Sequence, residues 1–280
     1  MFRALAEYAM RGRRQAIIAA AILTSLPLVS WIGSSVAALV VLSKGTKEGI
    51  LVALWASLPL ILGYAIAQDV SGFLALLGVL ISALILRATT SWELVLYAAT
   101  ALAVVQSGLF ALLSGSILDS FVSLYLGMLS SVPELEAAIP DEASARWVAV
   151  AFLAMGQGYL IVLTLMLARW MQSALYRPGA FGQELQQLKL SKPVVLLFVV
   201  GLLGLTMSPS GGAWIGVVSL PLVVGGACVT HALLNERGAG HHWYVAFYVS
   251  LVLFAQVAIT VMALVMAADT LFDLRRKKTV

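Results

Sequence analysis

The chain has 280 residues, 61% of them hydrophobic, with 17 Lys+Arg, 13 Asp+Glu and a formal net charge of +4. Charged residues are 11% of the total, against roughly 25% in a soluble domain, too few to cover a water-facing surface. A soluble globular domain is therefore excluded, as is a disulfide scaffold, because Cys228 is the one cysteine.

The N-terminal MFRALAEYAMRGRR is basic and amphipathic. It runs directly into an apolar stretch without a small-residue cleavage site, which predicts a membrane start and not a cleaved signal peptide. Apolar runs follow at 15–42, 50–67, 73–86, 94–113, 147–167, 193–207, 214–234 and 245–268. Taken as one helix, 15–42 would measure about 42 Å, well over the ~30 Å hydrocarbon core. Pro27, Ser30 and Trp31 at its centre suit a break. One helix gives eight spans. Two helices, 15–29 and 32–42, give nine.

Basic loop residues favour nine. With the N-terminus inside, nine spans place Arg3, Arg11, Arg13, Arg14, Lys44, Lys47, Arg87, Arg169, Arg177, Lys189, Lys192 and Arg237 inside. Eight spans leave the two sides nearly equal. The nine-span arrangement puts the acidic stretch Glu134, Glu136, Asp141 and Glu142 outside, and with it Arg275, Arg276, Lys277 and Lys278. A bent or re-entrant helix around Pro209, Gly211, Gly212 and Pro221 would return that basic tail to the inside.

Two connections are long enough to hold structure. ILDSFVSLYLGMLSSV suits a helix lying at or dipping into the interface, and Asp141 or Ser144 suits a cap on the following span. Past Arg169, Pro178-Gly179 signals a turn and 183–190 reads as a short amphipathic helix. The expected fold is all-α, a polytopic transmembrane helical bundle of eight to nine spans. Residues 1–172 form the membrane core, 173–192 an amphipathic cytoplasmic connection, and 193–280 the C-terminal transmembrane helices.

RQAIIAAAILTSLPL, the short VAALVVL and SKGTKEGILVALWA resemble the opening of the S components of energy-coupling-factor vitamin transporters. They are more closely similar to the YybS-like membrane proteins, a family without an assigned activity. HALLNERG at 231–238 and DTLFDLRRK at 269–277 are similar to that family's C-terminal half, although Gly225 and Gly226 stand where the family has Gln-Gly. The resemblance implies an S-component-like six-helix N-terminal core with extra C-terminal helices. It also implies a small-molecule pocket near the outer face, closed by the loop after the first helix. Small residues four apart on that first helix, Ala16 and Ala20 or Ala21 and Ser25, would then dock on a transmembrane coupling subunit.

A charge at mid-bilayer costs about 2.5–3.5 kcal/mol on insertion scales, and no run carries one at its centre. Asp69 ends one run and Asp119 lies beyond another. This argues against a carboxylate relay for ion coupling. The absence of HExxH and of any Ser–His–acid spacing argues against a hydrolase. No enzyme activity, cofactor or nucleic-acid partner is expected. His231, His241 and His242 lack a complete ligand set, so no metal is expected either.

What remains is neutral. Gln106, Gln157 and Tyr159 within runs, with Trp31 and Asp69 at the outer interface, form a candidate pocket for a small apolar or aromatic molecule. The bland alternative is that each glutamine bonds a neighbouring helix, a contact worth about 0.6 kcal/mol. The expectation is a multi-pass protein of the cytoplasmic (inner) membrane, N-terminus cytoplasmic, acting as a small-molecule-binding subunit. The alternative is a non-transporting scaffold that assembles with another membrane complex.

Overall fold

A computed structural model of the chain describes residues 1–132, 139–208 and 210–275. The expected features at Pro133, Glu134, Glu136, Pro209, Arg276, Lys277 and Lys278 lie outside them. The described residues are all-α, without a strand, and divide into two units, Met1–Pro178 and Gly179–Val280. Six helices are long and apolar enough to cross a membrane, or seven if a bent pair counts as one span. This is an integral membrane protein of the multi-pass kind. The lower number arises because several apolar runs form helices shorter than a bilayer needs.

In the first unit α1 (Phe2–Met10) precedes α2 (Arg13–Thr24). Pro27 ends the continuity as expected. The residue before a proline is pushed out of the helical region, and Leu26 is extended at φ −102, ψ 109. After the 3-10 turn Pro27–Val29, α3 (Ser30–Lys44) folds back along α2. Gly33 makes the close approach possible, since a Cβ there would lie 2.8 Å from the Ala20 carbonyl oxygen. At the next turn Gly45 has φ 111, which only glycine adopts freely. There α4 (Thr46–Ala67) returns with Gly49 pressed against the Val41 backbone.

The remaining helices of this unit are α5 (Ser71–Thr89), α6 (Trp92–Leu113), α7 (Gly115–Ser130) and α8 (Glu142–Tyr176). Helix α3 lies at the centre, buried without interruption from Ile32 to Leu42. Polar contacts tie each end of the unit together. At the first end Arg13 Nε meets Glu48 at 2.8 Å, and Arg87 and Gln172 donate to the last carbonyls of α3. At the second, Ser114 Oγ donates to the Gln68 carbonyl at 2.6 Å and accepts from Val70 N–H at 3.1 Å. Asp119 pairs there with Arg146.

Helix α8 has 35 residues, about 52 Å at 1.5 Å per residue, far more than the ~30 Å core. It continues to Tyr176, so residues 173–176, expected in the cytoplasmic connection, are helix. By contrast α2 has 12 residues, about 18 Å, shorter than the hydrocarbon core.

The second unit holds α9 (Ala180–Gln186), α10 (Lys192–Thr206), α11 (Ile215–Val218), α12 (Leu220–Glu236), α13 (His241–Leu253) and α14 (Ala255–Phe272). The short helix expected at 183–190 sits earlier, starting after Gly179 (φ 87), and Leu188 and Leu190 are buried beyond its end. The bend expected near Pro221 is present. Gly211–Val218 and Leu220–Glu236 meet at 44°. The run 245–268 is not one helix; it breaks at Phe254 (φ −120, ψ 41), where neither glycine nor proline stands and no local cause is evident. Gly226 lets α12 touch the α14 backbone, since a Cβ there would meet the Met262 carbonyl oxygen at 2.1 Å.

Candidate ligand-binding groove

Helix α7 is amphipathic and lies on the N-terminal part of α8. Leu118 and Val122 bury one face against Ala145, with Tyr125 and Leu126 packing beside Ala149 and Leu153. On the adjoining face the two helices part. Phe121 and Tyr125 from α7 face Val148, Ala149, Phe152, Leu153, Gly156 and Gln157 from α8 across a groove of about 430 Å³. The α8 residues recur at i, i+4 and i+8 with their neighbours, a single helical face. Gly156 adds room because a Cβ there would meet nothing within 4 Å. The volume lies within the range of small-molecule sites, and the composition, apolar with few polar groups, is typical of them.

Gln157 is the polar end of the groove. Its Nε2 donates to Gln106 Oε1 on α6 and to the Ser71 carbonyl on α5, each at 3.3 Å. Gln106 is 4% exposed. Its Nε2 sits against Gly78, where a Cβ would be 2.9 Å away. Three helices thus converge on one amide pair, and a glycine makes the space for it. Among the described residues the Gln157 carbonyl oxygen accepts no hydrogen bond, and neither does the Tyr125 hydroxyl make one.

Five residues were expected to share a pocket. The structure brings two of them, Gln106 and Gln157, into contact. Asp69 is attached to the same turn: its Oδ1 accepts from Ser71 N–H at 2.8 Å, while Ser71 offers its carbonyl to Gln157. Asp69 is exposed and closes a local turn ahead of α5, and it does not line the groove. Tyr159 does not join them. Two residues along a helix rotate a side chain by about 200°, so Tyr159 leaves α8 on the side away from Gln157. Trp31 is half-buried in the first turn of α3 and shares no hydrogen bond with the amides among the described residues. Sequence reasoning missed Phe121, Tyr125 and Phe152. The one available signal was the apolar i, i+4 pair on α7.

Ala16 and Ala20, expected to dock a partner subunit, are 1% and 0% exposed. They pack with Ala19 against Val36, Ala37 and Val40 of α3 and against α4. Small residues there serve the internal hairpin. The outward face of α2 instead presents Ile18, Ile22 and Ser25, with Ala21 half-buried.

In the second unit one charge pair is buried. Asp269, near the end of α14, meets Arg275 with side-chain exposures of 1% and 6%. Arg275 also donates to the Gln186 and Leu188 carbonyls at 2.6 and 2.7 Å, and Lys189 pairs with Asp273 at 2.8 Å. These bonds fasten the chain after α9 to the end of α14. His231 Nε2 lies 2.8 Å from the Tyr248 hydroxyl, inside a ring of Tyr244, Phe247 and Tyr248. No three potential metal ligands cluster among the described residues.

No protein-family model, curated protein or solved structure matches the chain.

Proposed function

We propose that this membrane protein binds a small, uncharged, largely apolar molecule in the groove between α7 and α8. In this it acts as a solute-binding subunit resembling the S components of energy-coupling-factor transporters. The observation that carries the reading is the groove itself: three aromatic rings, an open glycine and no charged side chain, ending at an amide whose carbonyl is unused. The lack of charge fits a neutral ligand, since a charged one would exchange bulk hydration for a wall with no counter-ion.

The charge asymmetry between the two ends of the first unit supports placement in the cytoplasmic membrane with the N-terminus inside. One end carries Arg13, Lys44, Lys47, Arg87, Arg169 and Arg177, the other Asp69, Asp119, Asp141 and Glu142 with Arg146 alone. The groove then belongs to the outer half, nearer the second end.

Gly156→Leu tests the reading. The leucine fills open space and raises helix propensity, so the variant folds while the groove is blocked. Purified protein screened by thermal shift against small apolar compounds is expected to gain stability with at least one, and Gly156→Leu is expected to lose that shift. Equal stabilisation of both proteins would place the ligand elsewhere and overturn the assignment.

One observation favours a second reading, a non-transporting scaffold. Ala16 and Ala20 are enclosed within the bundle and offer no docking face. Cross-linking from the outward face of α2, at Ile18 and Ile22, separates the two: capture of an ATPase-linked membrane subunit supports a transporter, and self-association supports a scaffold.

A further inference from the structure

We infer that the groove selects a hydroxyl-bearing apolar molecule, a phenol or apolar alcohol, with Gln157 as the acceptor and Tyr125 as the donor for that one hydroxyl. This deepens the ligand-binding reading and rests on it. Of the eight lining residues only Tyr125 and Gln157 carry side-chain polar atoms, and the others are apolar or glycine. The two stand on opposite walls, Tyr125 on α7 and Gln157 on α8.

Their chemistry differs. Both hydrogen-bond donors of an amide reside on its nitrogen, and the Gln157 nitrogen is engaged by Gln106 and Ser71. What it offers the groove is therefore the carbonyl oxygen, an acceptor. Those two bonds also fix which way the amide faces, because turning it over would bring the Gln157 oxygen against the Ser71 carbonyl, acceptor to acceptor. Tyr125 supplies a hydroxyl that can donate. A ligand head that gives one hydrogen bond and takes another satisfies both, and a single hydroxyl does this with one oxygen. An ether or ketone accepts only and leaves Gln157 unsatisfied. An ammonium group donates only, and finds no carboxylate on the groove wall. The body of the ligand meets Phe121, Phe152 and Tyr125, whose rings favour a flat or ring-containing partner over a branched one.

The test compares 4-octylphenol with its methyl ether, which keeps the body and the acceptor oxygen and loses the donor. Binding is measured on purified full-length protein in detergent, by titration with empty micelles subtracted. The phenol is expected to bind about fivefold or more tightly than the ether, the effect of one neutral hydrogen bond. Gln157→Leu should weaken the phenol to the level of the ether and leave the ether unchanged. Tyr125→Phe touches neither Gln106 nor Ser71 and retains the ring, so it keeps the fold if Gln157→Leu does not; it should weaken phenol and ether alike. Equal binding of phenol and ether, both lost in Gly156→Leu, would overturn the hydroxyl assignment and leave the groove as the ligand site. Binding of neither, with other apolar compounds still stabilising the protein through the groove, would also overturn it. Binding of nothing at all would remove both readings.

Discussion

At the scale of single residues the glycines divide sharply, and their letter in the sequence gives no hint of it. Gly127 on α7 faces open space, whereas a Cβ on Gly226 would sit 2.1 Å from the Met262 carbonyl oxygen. That neighbour is backbone and has nowhere to rotate, so Gly226→Ala must push α12 from α14. A cost of about 1–3 kcal/mol is expected for such overpacking, while Gly127→Ala should be neutral or slightly stabilising through helix propensity. Unfolding of the two variants in detergent, side by side, checks this; equal stability would mean that the two helices do not touch at Gly226. The polar residues divide in a similar way. Gln106 and Gln157 were legible as candidates because an amide inside an apolar run is conspicuous. That they meet each other, and that Gln157 also reaches the Ser71 carbonyl, depends on the register of α5, α6 and α8, which periodicity does not supply. Asp269 and Arg275 show the same gap: six positions apart, they did not stand out as partners, and the chain's turn after Phe272 makes them a buried pair.

At the scale of elements the sequence signals with a covalent or local cause were the reliable ones. Pro27 breaks the first run because it constrains Leu26. Asp141 starts α8 because its Oδ1 accepts from Ser144 N–H at 2.8 Å. Elements without a local signal were not legible: α13 and α14 part at Phe254 with no breaker residue, and α9 starts three residues before its amphipathic pattern suggests. The cap on α8 has a consequence for pH. The Ser144 hydrogen bonds, side chain first and backbone second, hold the Asp141 carboxyl below its ordinary value. A carboxyl with a depressed folded pKa contributes its stabilisation fully above the unfolded value, near 3.9. It loses that contribution as pH falls through the folded value. Amide exchange at Ser144 and Ala145 should therefore show a protected first turn at neutral pH that opens as the pH drops below the usual carboxylate range. Asp141→Asn caps without titrating and should abolish the pH dependence while keeping the protection. Asp141→Ala should expose the turn at every pH. If protection in the wild type is flat down to strongly acidic pH, the carboxylate is not the cap.

At the scale of the whole molecule, composition alone identified the class, because 11% charged residues cannot clothe a soluble surface. The number of crossings was harder, since an apolar run measures hydrophobicity and not helix length. The decisive feature for orientation is the α2–α3 hairpin. The Arg13–Glu48 contact returns the chain after α3 to the end of the unit where α2 began, and every later loop of the first unit inherits its side from that return. Had α2 and α3 formed one helix, the sides of 47 and 90 would be exchanged with those of 68 and 116 relative to the N-terminus. Single cysteines at Lys47, Gln68, Thr90 and Ser116, all exposed, in a Cys228→Ser background make the distinction measurable. A membrane-impermeant maleimide added to intact cells should label positions 68 and 116. Positions 47 and 90 should react only after permeabilisation, together with a tag on the N-terminus. Labelling of 47 and 90 from outside, with the N-terminal tag still protected, would mean that the hairpin does not form in the membrane. Labelling of 47, 90 and the tag from outside would keep the hairpin and invert the protein. In that case the groove between α7 and α8 would open toward the cytoplasm, and a subunit that captures solutes from outside would no longer fit it.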